Sequence, residues 1–510
     1  MRGHRTSSTD EAFRVVSTPG GELRGRSDGR VAEFLGIPYG APPVGGLRFA
    51  PPRPASGWRG VRDALAFGPA APQLPETESA TALPPSVPQD EDCLTLNVWT
   101  PAGHGDRLPV LVWFHGGGYR TGGPQVQAYH GANLARHSGV VVVSCAYRLG
   151  VLGFASHPAL GEQANWGLRD QLLALEWVRE NIAAFGGDPG AVTIFGQSAG
   201  AGAVSIHLAC SAGTGLFHRA IVQSGAPKVD FPDEAAELAE RLVHAAGAED
   251  VRDLRTMPPA RLLELQKQLE GKAQAMLFMP VVDGSVVTGP PLELLAGAPP
   301  LPALIGSNAD EWRTFAGLDA KARDLTGEQL RRRLLRHFGD ATDELVEVYR
   351  TERGRRGEAS DPSSLWFAIF GDAYFRLPTQ RMLEALAGRD VWSYLFTGPA
   401  GMSWPGACHL LEVPYVFGTV DRTPELAEFT GASPEVARLS RRFMTAWAAF
   451  ATSGDPSSEG FGPWPKWEPG RRATMIIGDR CGPADAPNRA ELDVLERAAT
   501  DPARGVRVRN

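Results

Sequence analysis

Val192-Thr193-Ile194-Phe195-Gly196-Gln197-Ser198-Ala199-Gly200-Ala201-Gly202 (VTIFGQSAGAG) decides how the rest of the chain is read. An apolar, β-branched run passes into Gly-x-Ser-x-Gly and then into small residues, which predicts a buried strand, a sharp turn and the start of a helix. Glycines two before and two after Ser198 are needed, because so tight a turn leaves no room for side chains beside a serine in a strained conformation. A Gly-Ser-Gly loop often arises by chance. The flanking strand and helix are what make this serine a candidate nucleophile.

Upstream, Pro109 to Phe114 (PVLVWF) reads as another buried strand and ends in His115-Gly116-Gly117-Gly118-Tyr119. Successive glycines after such a strand let backbone N–H groups point into a cavity. Gly117 and Gly118, with the N–H of Ala199, are therefore candidate donors to a carbonyl oxygen that gains negative charge. A serine hydroxyl attacks only when a histidine takes its proton and an acid orients that histidine, and the expected chain order is serine, acid, histidine. After the apolar run ending at Ile305, Gly306-Ser307-Asn308-Ala309-Asp310-Glu311-Trp312 sets two carboxylates on one loop. After the run ending at Phe396, a Gly/Pro-rich loop reaches Gly406-Ala407-Cys408-His409. The other downstream histidines, His207, His218, His244 and His337, sit in helical, polar or arginine-rich settings that suit structural or solvated roles. On these grounds Asp310 and Glu311 remain equal candidates for the acid.

Length alone, 510 residues, would suggest about three domains or one large α/β domain. The glycine loop, serine, acid and histidine must converge, which instead places at least the 290-odd residues from Gly116 to His409 in a single sheet. Short alternating runs from Arg14 to Leu35, broken by Pro19-Gly20-Gly21 and Asp28-Gly29, predict antiparallel hairpins. Continuous apolar runs also occur at Val140 to Cys145, Ala220 to Val222, Ala303 to Ile305, Val391 to Phe396 and Met475 to Ile476. Leu168, Leu172, Leu175, Val178 and Ile182 fall on one face of a predicted helix. Alternating strands and helices predict a large mixed sheet, mostly parallel, with helices on both faces and an antiparallel N-terminal portion. Helical insertions are expected at about 230–275 and 318–385 around the site entrance, and Pro69 to Pro88 as a long surface loop forming a mobile rim.

Hydrophobic residues at 43% and charged residues at 21% exclude a disordered, collagen-like or coiled-coil chain. The 59 glycines and 42 prolines show no period, which points to many tight turns and long structured loops. A net charge of −7 with scattered basic residues argues against a nucleic-acid partner. The opening MRGHRTSSTDEAF has no apolar run of the kind a secretory signal needs, and no later window approaches the roughly 18 apolar residues of a membrane span. A cytoplasmic location and no membrane partner are expected. Cys93, Cys145, Cys210, Cys408 and Cys481 are odd in number and lack a Cys-x-x-Cys pair, which argues against a disulfide framework and a zinc cluster. No metal or organic cofactor is expected. A small-molecule partner is expected, and a monomer or weak homodimer.

These motifs resemble those of the type-B carboxylesterases, the esterase/cholinesterase branch of the α/β-hydrolases, and most closely the bacterial para-nitrobenzyl-esterase-like members. The resemblance covers nearly the whole chain and implies one catalytic domain over 12–500, with 1–11 and 501–510 as tails. It includes Phe34-Leu35-Gly36-Ile37-Pro38-Tyr39, Glu91-Asp92-Cys93-Leu94 with Leu96-Asn97-Val98-Trp99, Tyr147-Arg148-Leu149-Gly150, Asn165-Trp166-Gly167-Leu168-Arg169-Asp170-Gln171, Gln223-Ser224-Gly225, and the late Trp464-Pro465. It implies ester hydrolysis through an acyl-enzyme, with Ser198 as nucleophile, Glu311 as acid and His409 as base. It also implies Ser224 as a hydroxyl beside the acid–histidine pair, and Arg48–Glu91 and Arg148–Asp170 as structural ion pairs. The same triad also serves hydrolases of amides, carbamates or thioesters, and some relatives of this fold are binding modules without the nucleophile. Three departures stand out. Gln197 replaces the usual Glu and is expected to alter hydrogen bonding at the turn. Cys93 has no earlier cysteine to pair with. Trp312 replaces a glycine after the acid. Tyr119, Trp312, Phe315, Trp366, Phe367 and Phe370 are candidates for the apolar wall of the substrate pocket, about half of them expected to touch substrate, since aromatics at helical spacing such as Trp366 and Phe370 also suit a plain core.

Overall fold

The computed structural model describes residues 12–500 apart from 76–81, 102–106, 162, 272–275, 318–319 and 403–405, so the two expected tails lie outside the described residues. Among the described residues thirteen strands form one sheet. They are β1 (Ala12–Thr18), β2 (Gly21–Ser27), β3 (Val31–Pro38), β4 (Val61–Asp63), β5 (Thr95–Pro101), β6 (Leu108–Phe114) and β7 (Val141–Cys145). Then come β8 (Gly187–Gln197), β9 (Arg219–Gln223), β10 (Ala303–Asn308), β11 (Val391–Phe396), β12 (Ala473–Ile477) and β13 (Gly482–Asp485). Their order is β1-β2-β3-β5-β7-β6-β8-β9-β10-β11-β12-β13, with β4 alongside β2. β1, β2 and β3 pair antiparallel through turns at the Pro-Gly-Gly and Asp-Gly breaks. From β7 to β12 every neighbouring pair is parallel.

The central strands are buried on both faces, as their continuous apolar runs require. Along β6, Val110, Val112 and Phe114 enter one core cluster while Leu111 and Trp113 enter the other. The two-residue side-chain period thus divides the core into one layer on each side of the sheet. β5 escapes an apolar-run criterion because Thr95, Asn97 and Thr100 interrupt it, yet all seven of its residues are buried. Two of its polar side chains are satisfied inside, Thr100 Oγ1 donating to Phe185 O and Asn97 Nδ2 to Ser144 Oγ. The helix Trp166–Asn181 buries Leu168, Leu175 and Val178 as expected, whereas Leu172 is half-exposed and Leu173 is buried.

Both insertions are helical. Pro232–Ala246 and Pro259–Glu270 form the first; Gly327–Phe338, Thr342–Arg355, Pro362–Gly371 and Leu377–Ala385 belong to the second. The second has its own core of Leu330, Leu334, Phe338, Leu345, Tyr349, Leu365 and Ile369, closed by Val494 and Leu495 of the C-terminal helix. The stretch after Pro69 differs from the expected surface loop: Ala70, Ala71 and Gln73 are buried. The Gln73 amide donates to Gly122 O (2.8 Å) and accepts from Gly122 N (2.7 Å), so this end is pinned beside the glycine loop. Arg48–Glu91 and Arg148–Asp170 are both formed and largely buried, each as a paired-contact bridge.

Candidate active site

β6, β8, β9, β10 and β11 are consecutive neighbours running parallel, so their carboxyl ends open on one edge of the sheet. Each candidate group follows one of those ends: Gly116–Gly118 after β6, Ser198 after β8, Ser224 after β9, Glu311 after β10 and His409 in the loop after β11. Residues as far apart in sequence as Gly116 and His409 are thereby gathered at one crevice.

Ser198 occupies the turn itself, with φ 57° and ψ −124°, between β8 and the helix Ala199–Ala209. This backbone is strained for a residue with a side chain. It is held by Ser198 N donating to Gln223 O (3.0 Å) and by Gly202 N donating to Ser198 O (2.8 Å). A methyl group on Gly196 would lie 2.5 Å from Gly200 C, and one on Gly200 would collide with the Phe114 carbonyl oxygen. Both glycines are therefore sterically required. A methyl group on Gly116 would lie 2.8 Å from Gln197 O and 3.0 Å from Ser198 Cβ, so the glycine loop is packed directly on the serine. Gly117 and Gly118 have φ 100° and 63°. Their N–H groups donate to no acceptor among the described residues, and Ala199 N is among the first N–H groups of its helix, which lack intrahelical acceptors.

On the other side, His409 Nδ1 lies 2.6 Å from Glu311 Oε2, with both side chains buried. Glu311 Oε1 accepts from Asn308 N (2.7 Å), which fixes the carboxylate. Asp310, the competing acid, instead pairs with Arg313 at 3.1 Å and is partly exposed. Asn308 Nδ2 donates to Cys408 O (2.8 Å) and to Glu412 Oε2 (2.6 Å), tying the acid loop to the histidine loop. Sequence reasoning missed Glu412: it is fully buried, and burial, with the Glu311 charge beside it, pushes its carboxyl up to about 7.

Gln197 Nε2 lies 3.1 Å from His409 Nε2 and 3.4 Å from Nδ1, so the altered hydrogen bonding expected of this residue falls on the imidazole itself. Among the described residues no hydrogen bond joins Ser198 Oγ to His409. Ser224, with φ 52°, is buried and donates its N–H to Gly306 O, but its hydroxyl has no partner among the described residues and makes no bond to the acid or the histidine. His115 and His207 are buried, and burial lowers both to about 4. His115 stacks on Tyr147 and His207 bonds to Gln171 Oε1, which are structural settings.

The expected aromatic wall divides. Phe315 sits against the His409 ring with centroids 5.5 Å apart, and Trp312 packs on Phe315, Phe370 and Tyr374. Trp366 and Phe370 stack on each other at 4.0 Å within the core of the second insertion, and Phe367 packs against that core. Tyr119 is buried against Phe154 at 5.0 Å. The ring nearest His409 that the sequence did not single out is Phe375, at 4.5 Å. Phe375 and Tyr374 lie in the π-helical turn Asp372–Arg376, whose extra residue shifts side chains out of the register a regular helix predicts.

A strained serine between a parallel strand and a helix, at the centre of a mixed sheet with an antiparallel start, defines an α/β-hydrolase. Residues 12–493 match the model of the Carboxylesterase family, and the chain belongs to that family. It is 34% identical to phenmedipham hydrolase of Pseudarthrobacter oxydans over 91% of this chain and 95% of that one. It is likewise 34% identical to para-nitrobenzyl esterase of Bacillus subtilis over 91% and 94%. Among solved structures, a carboxylesterase of Geobacillus stearothermophilus superposes with a TM-score of 0.84 at 35% identity, covering 94% of this chain and 99% of the other. The chain is a carboxylesterase.

Proposed function

We propose that this carboxylesterase works by a Ser198–His409–Glu311 triad through an acyl-enzyme, within one catalytic unit spanning residues 12–500. Ser198 Oγ attacks the ester carbonyl carbon as His409 Nε2 takes the hydroxyl proton, and Glu311 holds the imidazole in the tautomer that leaves Nε2 free to accept it. The tetrahedral oxyanion is met by the N–H groups of Gly117, Gly118 and Ala199. His409 then returns the proton to the departing alcohol, and water repeats the sequence on the acyl-serine. The observation that carries this reading is the 2.6 Å Glu311–His409 contact at the same sheet edge as the strained serine. Before attack the Gln197 amide must yield the Nε2 lone pair that it faces at 3.1 Å.

Ser198→Ala tests it directly. Turnover of a short-chain para-nitrophenyl ester should fall by about 10⁴-fold or more, and the acyl adduct seen by mass spectrometry in the wild type should vanish. Wild-type turnover in Ser198→Ala would sink the assignment. On matched ester and amide substrates, a higher kcat/KM for the amide would remove the ester label while leaving the triad.

A further inference from the structure

Lys228 is a half-buried cation that the reaction above does not use. It lies on the loop after β9, four residues beyond Ser224, and that loop runs along the nucleophile turn. A methyl group on Gly225 would meet Ser198 O at 2.5 Å, and one on Gly202 would meet Ala226 O at 2.9 Å. Two residues further on, Asp230 N donates to Pro280 O and Val282 N to Asp230 O, which joins the loop to the segment whose Met276 packs on Gly118. The Lys228 loop therefore spans the space between the glycine-loop side of the crevice and its aromatic side. The ammonium sits 3.3 Å from the centroid of the Tyr374 ring. Tyr374 packs on Trp312 at 4.6 Å and on Phe375 at 6.0 Å, and Phe375 packs on His409. Lys228 is thus linked to the general base through the rings of Tyr374 and Phe375.

Among the described residues Lys228 has no carboxylate partner, whereas other cations of this half of the molecule are paired, as in Arg313–Asp310 and Arg120–Glu270. A cation held over a ring that belongs to the aromatic cluster packed on the general base, and short of a counter-ion, is placed to take an anion from the ligand. We propose that Lys228 is a specificity residue that binds a carboxylate carried by the ester substrate away from the scissile bond, so that the preferred substrates are esters bearing a negative charge. Burial alone lowers the amine to about 7, in keeping with an ammonium left uncompensated until such a group arrives. The inference rests on the ester-hydrolase reading of the same site.

The test uses the purified full chain and two matched substrate pairs. Mono-para-nitrophenyl succinate against para-nitrophenyl isocaproate places the carboxylate, or its neutral isostere, on the acyl side. Meta-carboxyphenyl butyrate against meta-acetylphenyl butyrate places it on the alcohol side. In Lys228→Met the carboxylate-to-neutral ratio of kcat/KM should fall by about tenfold or more in one pair, chiefly through KM, and the affected pair identifies the side. Lys228→Glu should lower that ratio further, and Lys228→Arg should keep it within a few-fold. If Lys228→Met does not fold, Lys228→Glu read against Lys228→Arg carries the same comparison. Ratios unchanged within about twofold in both pairs would overturn the inference, as would equal losses on charged and neutral esters, which mark Lys228 as a prop for Tyr374. A wild type that hydrolyses none of the four esters sinks the ester-hydrolase reading and this inference with it. A wild type active on the neutral esters with charge-blind Lys228 variants sinks only the inference.

Discussion

Ser198 and the glycine loop are held by backbone packed so closely that a methyl group at Gly116 or Gly200 would break it, whereas Glu311 and His409 are held by side chains bonded across long stretches of sequence. In the first half the constraint is steric and local, and no residue but glycine meets it. In the second it is a chain of hydrogen bonds from Asn308 N to Glu311, from Glu311 to His409, and from Asn308 Nδ2 to Cys408 O and Glu412. A steric constraint fails outright when violated. A hydrogen-bonded chain fails in proportion to the link removed and responds to pH.

The largest expected effect is in the side-chain half. Glu311→Gln preserves shape but presents an amide to Nδ1, which allows the wrong imidazole tautomer, and kcat should fall by about 10⁴-fold. A loss under about tenfold would mean that the histidine is oriented by something else, and the contrast between the halves would collapse. Next is the backbone half. Gly117→Ala forces a methyl group onto the Thr121 carbonyl at φ 100° and displaces a proposed oxyanion donor, so kcat should fall by about 10²- to 10³-fold. Gly139→Ala is the control: it has φ 64° but nothing within 4 Å, so it should cost about 1 kcal/mol of stability and leave kcat alone.

Glu412 sharpens the comparison through pH. Its folded-state carboxyl, at about 7, is raised above the ordinary 4.5. Its contribution to stability is therefore fully present below about pH 4.5 and is lost as pH rises through about 7. Glu412→Gln removes that dependence, so Tm of the variant minus Tm of the wild type should increase between about pH 5 and pH 8. The wild-type loss is at most on the order of 3 kcal/mol. A difference that is flat with pH, or that shrinks, would show that Glu412 is ionised in the folded protein, as an ordinary buried ion-pair partner would be.

The same contrast explains what the sequence disclosed. The elbow and glycine loop were legible because their steric demands appear as glycines at fixed spacing, and the buried parallel strands because they are continuous apolar runs. Glu311 and Asp310 were not separable by pattern, since both are carboxylates on one loop; only the turn Glu311–Gly317 sends one inward and leaves the other to Arg313. β5 is hidden by the polar residues that interrupt it, of which Asn97 and Thr100 find partners distant in sequence. Phe375 is hidden because a π-helical turn breaks the period on which helical faces are read, while Trp366 and Phe370, at helical spacing, serve the insertion's own core. Glu412 carried no signal at all, for a buried carboxylate is recognisable only by what surrounds it.

The smallest expected effect falls where the two halves touch. Gln197 belongs to the backbone half, as the last residue of β8, yet its amide lies 3.1 Å from His409 Nε2. Gln197→Glu would set a carboxylate there, and an opposite charge that close favours the imidazolium. Because attack requires the neutral imidazole, the acid limb of the kcat/KM profile should move to higher pH by about one unit, with activity below the limb falling about tenfold. Above the limb, rates should stay within a few-fold of wild type, since neither the elbow backbone nor the Glu311 contact is altered. A limb that stays in place would mean that the residue-197 side chain turns away from the histidine once substrate binds. A limb displaced to lower pH would mean that the neutral amide already stabilises the charged ring, reversing the sense in which the backbone half acts on the side-chain half.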